Sequence, residues 1–160
     1  MSIYQKEKFI SISSMNRTEV QNPGDLLMPL ARISVPVHLA PAQIRALANA
    51  VHEGLVETCG VPPKDRFQLV SVYAPEMMFI DPTFPDVART PDASIIEILF
   101  LEGRTIDQKK NLFRRIADQA VRAGFSGDDI MIVLTENAPV DWSLGRGLPF
   151  GDHHGPMVSR

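Results

Sequence analysis

This sequence predicts an α/β (α+β) domain built from two tandem β-α-β units, and three observations carry that prediction. Strand-like and helix-like periodicities alternate in the order strand, helix, strand, and the order then repeats, between Pro29 and Glu136. Residues of the first helix recur in the second: Gln43, Leu47, Val51 and Val56 match Gln108, Leu112, Ile116 and Val121, each 65 positions on. The chain has 160 residues, 44% of them apolar and 22% charged, which is enough for one domain with a buried core.

The elements follow in order. Residues 29–37, PLARISVPV, alternate and are β-branched, which predicts a strand. A helix follows over 41–60: Pro41 suits its first turn, Ile44, Leu47, Ala48, Val51 and Leu55 form its apolar stripe, and Gly60 suits its C-terminal cap. RFQLVSVYA, 66–74, predicts a second strand, and a proline-rich connection spans 75–92. SIIEILFLE, 94–102, is the third strand. Thr105 and Gln108 form a capping box opening a second helix, with Leu112, Phe113, Ile116, Ala117, Ala120 and Val121 on one side and a stop near Gly124. DIMIVLTE, 129–136, is the fourth strand. Right-handed crossovers make each unit's strands parallel, giving one four-stranded sheet with both helices on one face. A ferredoxin-like β-α-β-β-α-β sandwich has the same element order, and pattern alone does not choose between the two. Residues 1–27 read as an N-terminal extension, with a short strand-like FISIS at 9–13 and the turn signal NPGD at 22–25; the domain proper runs over 28–160.

Composition removes several function classes. The net charge of −3 argues against a broad nucleic-acid-binding surface. No apolar run approaches the roughly 20 residues of a membrane span, and the N-terminus lacks the apolar core of a signal peptide. With one cysteine, Cys59, there is no intrachain disulfide, and the expected compartment is the cytoplasm.

The candidate chemistry starts at Pro29. It follows Met28, and a chain started at Met28 and trimmed of it would expose Pro29 as a secondary amine. An α-amino group has a reference pKa of about 8, and a nearby cation or an apolar pocket lowers it into the range of a general base. An internal Pro29 is an amide with no such chemistry. Several residues have simpler readings. His38 and His52 lack metal-ligand spacing, Cys59 is a small buried residue at a helix end, and Lys109, Lys110, Arg114 and Arg115 read as a solvated helix face. His153 and His154 are adjacent on a tail, which seldom makes a closed metal site.

Four segments, MPLARISV, GVPPKDRFQLVS, GRTIDQKKNLFRRIA and TENAPVDWSLGRG, together resemble the tautomerase superfamily, in particular its fused branch that includes malonate semialdehyde decarboxylase. The likeness runs from Met28 to about Gly147, and Asp-Trp-Ser-x-Gly-x-Gly is its most specific piece. The resemblance implies a two-unit β-α-β fold, usually a homotrimer, acting without cofactor or metal on a small carboxylate. It places the catalytic amino-terminal proline on Pro29, an aspartate that polarises or orients water or substrate on Asp65, the carboxylate-holding arginine on Arg104, and a pocket wall on Trp142 and Leu144. Arg32, Arg66 and Arg146 are further cations that could line a pocket. Two positions depart from the decarboxylase: Glu102 stands where it has a second arginine, and Leu144 where it has phenylalanine. The expected activity is therefore tautomerisation of a small 2-oxo acid or its enol, with Pro29 as base and acid, Arg104 as clamp and Asp65 as auxiliary group. Decarboxylation or hydration of a 3-oxo acid is the second reading, and a non-catalytic binding protein of ferredoxin-like fold is the third.

Overall fold

The computed structural model describes residues 28–150. The extension 1–27, with its FISIS and NPGD signals, and His153 and His154 lie outside the described residues.

Strand β1 (Leu30–Pro36) leads into helix α1 (Pro41–Cys59) and strand β2 (Phe67–Tyr73); strand β3 (Ser94–Leu101) leads into helix α2 (Ile106–Arg122) and strand β4 (Ile130–Asn137). Each boundary has a local cause. The Ala40 N–H donates to the Gln43 side chain at 3.1 Å and the Thr105 N–H to Gln108 at 2.9 Å, so the repeated glutamines close both helix starts in the same way. Gly60 ends α1 in the left-handed region at φ 72, where a Cβ would be strained.

The sheet runs β2-β1-β3-β4. Pairing is parallel within each unit, β1 with β2 and β3 with β4, and antiparallel at the β1–β3 join, where Leu30 faces Leu99. This order excludes the ferredoxin-like alternative, whose split βαβ unit inserts another strand between β1 and β2. Ala31, Ile33 and Val35 of β1 and Ile96, Ile98 and Phe100 of β3 pack with Leu47 and Val51 of α1 and Leu112 and Ile116 of α2 in one core, each 1% exposed or less. Both helices therefore cover one face.

Two expectations for α2 change. Phe113 and Val121 are exposed, at 37% and 52%, because the buried stripe is narrower: Leu112, Ile116 and Ala120. Lys109 and Arg115 are not simply solvated. Lys109 pairs with Glu136 of β4 at 2.8 Å, and Arg115 grips Glu57 of α1 through two bonds at 2.5 and 2.7 Å. Among the described residues no helix is long and apolar enough to cross a membrane.

Candidate active site

The topology brings four chain segments to one end of the sheet. Pro29 immediately precedes β1, and Asp65 lies two residues before the start of β2, which runs parallel to β1. Arg104 follows the end of the antiparallel β3, and Trp142 follows the end of β4, parallel to β3. Residues far apart in sequence thus meet without any long excursion of backbone.

Pro29 is buried there, and with Met28, Leu30, Phe67, Trp142, Ser143 and Leu144 it lines a cavity of about 310 Å³. Trp142, Ser143 and Leu144 belong to the segment 138–150 that follows β4. Positive φ at Gly145, Arg146 and Gly147 (151, 57 and 70) folds this segment back on itself, so that the Phe150 N–H reaches the Trp142 carbonyl at 2.6 Å. No atom lies within 4 Å of where a Cβ at Gly145 or Gly147 would stand, so these two glycines serve backbone conformation, not space.

Arg104 and Asp65 lie at this end but do not line that cavity. Arg104 is buried at 8% exposure, with its guanidinium carbon 4.8 Å from the centre of the Phe100 ring and Nη1 donating to the Leu101 carbonyl. Its backbone N–H donates to Glu136 Oε1 at 3.2 Å, while Lys109 holds the other oxygen of the same carboxylate. Burial pulls the Arg104 pKa below its usual value, and Cys59 and Glu136 offset part of that. Glu136 is raised by burial, but Lys109 and the Arg104 N–H outweigh this and hold it below the ordinary range. Burial alone lifts Asp65 from 3.8 to about 6.

Buried polar atoms normally find partners, and those that do not call for an explanation. Among the described residues six buried side-chain polar atoms have none. Five belong to this end: Asp65 Oδ1, Arg104 Nε and Nη2, Asn137 Oδ1 and Trp142 Nε1. The sixth is Arg89 Nε, in the connection before β3. The opposite end of the sheet, related to this one by the internal repeat, behaves differently. Asp129, the counterpart of Asp65, accepts from the Thr90 N–H at 2.6 Å and from Thr90 Oγ1 at 2.7 Å. Ser94, the counterpart of Pro29, donates to the Asp92 carbonyl at 2.9 Å, and His38 meets the Asp92 carboxylate at 2.7 Å. A cavity of about 240 Å³ lies there too, lined in part by Pro36, His38 and Thr90, but its polar groups close on one another. The repeat duplicates the scaffold and leaves unpaired hydrogen-bonding capacity concentrated at the Pro29 end.

Other sequence candidates fall elsewhere. Arg66 is tied to Gln68 and Asn49, both at 2.9 Å, and His52 meets the Pro63 carbonyl at 3.0 Å. Arg32 projects from the middle of the sheet beside Glu97, and Arg146 is exposed on the 138–150 segment. Cys59 is buried, as expected, but beside Arg104. Asn137 was not a candidate from sequence; the signal was its place one residue beyond a clean alternating strand.

Comparison with known proteins agrees with this fold. The family model described as "Tautomerase enzyme" matches residues 65–145. A probable tautomerase of Bacillus subtilis, YusQ, is 31% identical over 121 residues, covering 75% of this chain and 95% of that protein. Among solved structures, FG41 malonate semialdehyde decarboxylase inhibited by 3-bromopropiolate superposes with a TM-score of 0.70 at 37% identity, over 74% of this chain and 91% of that one. A second malonate semialdehyde decarboxylase, whose structures address decarboxylase and hydratase activities, gives 0.69 at 31% identity, over 74% and 92%. The chain is a member of the tautomerase superfamily.

Proposed function

We propose that this protein is a cofactor-independent tautomerase of small 2-oxo acids or their enols, with Pro29 as an amino-terminal general base and acid. The observation that carries the reading is the coincidence at one sheet end of a buried proline, a cavity of about 310 Å³ and five unpaired polar atoms. Arg104 is the carboxylate clamp: a guanidinium with two buried N–H-bearing nitrogens unpaired is suited to a ligand carboxylate. The same positive charge lowers the pKa of a nearby amine, so that Pro29 is neutral and basic near pH 7. Pro29 then takes the enol O–H proton and returns a proton to the adjacent carbon; the net change is isomerisation, balanced without another reactant. Trp142 and Leu144 wall the cavity, and Asp65, protonated in part near neutrality, orients the substrate oxygen. This chemistry requires that the functional chain start at Pro29, after loss of Met28. Catalysis belongs in the cytoplasm in this reading, and the apolar sheet face left bare by the helices is covered in a homotrimer.

Decarboxylation or hydration of a 3-oxo acid is the second reading, favoured by the 37% identity to a malonate semialdehyde decarboxylase. Glu102 weighs against it, since an acid near Arg104 weakens capture of a strongly polarised substrate. Turnover of phenylenolpyruvate and of malonate semialdehyde by protein starting at Pro29 separates the two. Pro29→Ala, or one extra residue before Pro29, is expected to cut kcat/KM for the preferred substrate by about 100-fold or more. Unchanged turnover in both variants would remove the proline mechanism.

A further inference from the structure

Asn137 closes β4, and the reading above gives it no role of its own. In β4 the residues Ile130, Ile132 and Leu134 pack toward the helices, whereas Met131 and Val133 are exposed on the other face. Strand alternation puts Asn137 on that second face. Its register partner there is Leu101, which is 1% exposed and lies outside the helix-side core. Its backbone carbonyl is engaged, accepting from the Glu102 N–H at 2.9 Å. Side-chain Oδ1 is buried and has no partner among the described residues.

The register also shows what shares its row. Leu30 pairs with Phe67 on one side and Leu99 on the other, so continuing the strands by two residues aligns Asp65, Met28, Leu101 and Asn137 across the sheet end. That row lies on the face where Met28, Leu30, Phe67, Trp142 and Leu144 line the 310 Å³ cavity; Met28 lines it directly, and Asn137 stands two strands away in the same row. A ligand carboxylate can satisfy Arg104 and accept from Trp142 Nε1, but it carries no hydrogen for Asn137 Oδ1. An amide oxygen held unpaired needs a donor.

We infer that Asn137 is a specificity-determining residue that accepts a hydrogen bond from a hydroxyl of the substrate, so the site selects hydroxy-bearing or enolised carboxylic acids over acids without the hydroxyl. The inference rests on the proposed carboxylate site at the Pro29 end. A site built to pair a hydroxyl rejects the analogue lacking it, because the buried partner is then left unpaired.

The experiment measures binding of 3-phenyllactate and of 3-phenylpropanoate, which differ only in the 2-hydroxyl, to the protein starting at Pro29 by calorimetry. Wild type is expected to prefer the hydroxy acid by about tenfold or more. Asn137→Ala is expected to lose that preference while binding 3-phenylpropanoate within about twofold of wild type. A preference that survives in Asn137→Ala overturns the inference and leaves the proposed function standing. Binding of neither acid to wild type overturns both. Should Asn137→Ala fail to fold, wild type decides alone, with the 2-methoxy ether of phenyllactate as probe. The ether oxygen keeps its capacity to accept a hydrogen bond but donates none, so affinity equal to that of the hydroxy acid would overturn the inference and a loss of about tenfold would support it.

Discussion

At the scale of single residues, the repeat provides a control for Asp65. Its counterpart Asp129 is 1% exposed and fully bonded to Thr90, while Asp65 keeps a buried oxygen without a partner. Burial raises the folded pKa of Asp65 from 3.8 to about 6, so between those values the folded state holds a proton that the unfolded state has released. Stability contributed by the protonated form is present below about pH 4, and it is lost as pH rises through 6. Asp65→Asn is therefore expected to stabilise the protein at pH 7.5 by about 1 kcal/mol, well below full conversion of the shift because the side chain is only half-buried. The gain should disappear at pH 4, and urea unfolding at the two pH values checks it; an equal effect at both would show that burial does not strain the carboxylate. The sequence made Asp65, Arg104 and Trp142 visible through motifs, and the structure sets them at one end. It could not show that Arg104 is buried over Phe100 beside Cys59, nor that Asn137 Oδ1 is left unpaired, because both follow from what packs around them in three dimensions. Periodicity carries no information about such coverage.

Among the elements, strand and helix placement was largely legible, because each strand alternates or is β-branched and each helix start carries its own glutamine cap. What periodicity could not rank was which of six apolar residues on α2 reach the core. That depends on how closely α1 approaches, and the approach is set by Gly54. A Cβ at Gly54 would stand 3.0 Å from Ile116 Cγ1 and 3.3 Å from Leu112 Cδ1, both on fully buried side chains. Alanine gains about 1 kcal/mol of helix propensity over glycine, while overpacking a close-packed interface costs about 1–3 kcal/mol. The contact at 3.0 Å falls on Ile116, a fully buried core isoleucine, so the packing cost wins. Gly54→Ala should lose about 1 kcal/mol of stability in urea unfolding, and a gain would mean that the helices separate freely. This is also why the stripe is narrow: helices this close bury Leu112, Ile116 and Ala120 between themselves and the sheet, leaving Phe113 and Val121 outside.

For the whole molecule, the helices leave one sheet face bare. Phe67 and Leu69 on β2 and Met131 and Val133 on β4 are exposed there at 53%, 56%, 44% and 41%. The register sets Leu69, Arg32, Glu97 and Val133 in a single row, so apolar side chains flank a central pair of opposite charges. Exposed apolar side chains on both edge strands of one sheet face are costly on an isolated soluble domain and mark an interface. Phe67 belongs to both this face and the cavity, which ties assembly to the Pro29 end. If copies of the chain cover this face in a trimer, a charge placed on it must break the assembly, since a buried, unpaired ammonium is strongly unfavourable. Leu69→Lys is expected to sediment as a monomer where wild type sediments as a trimer. Val121→Lys, at a residue 52% exposed on α2 and on the opposite side of the sheet, should leave the trimer intact. Dissociation by Val121→Lys but not by Leu69→Lys would move the interface to the helical layer, and a monomeric wild type would remove the trimer from the proposal altogether.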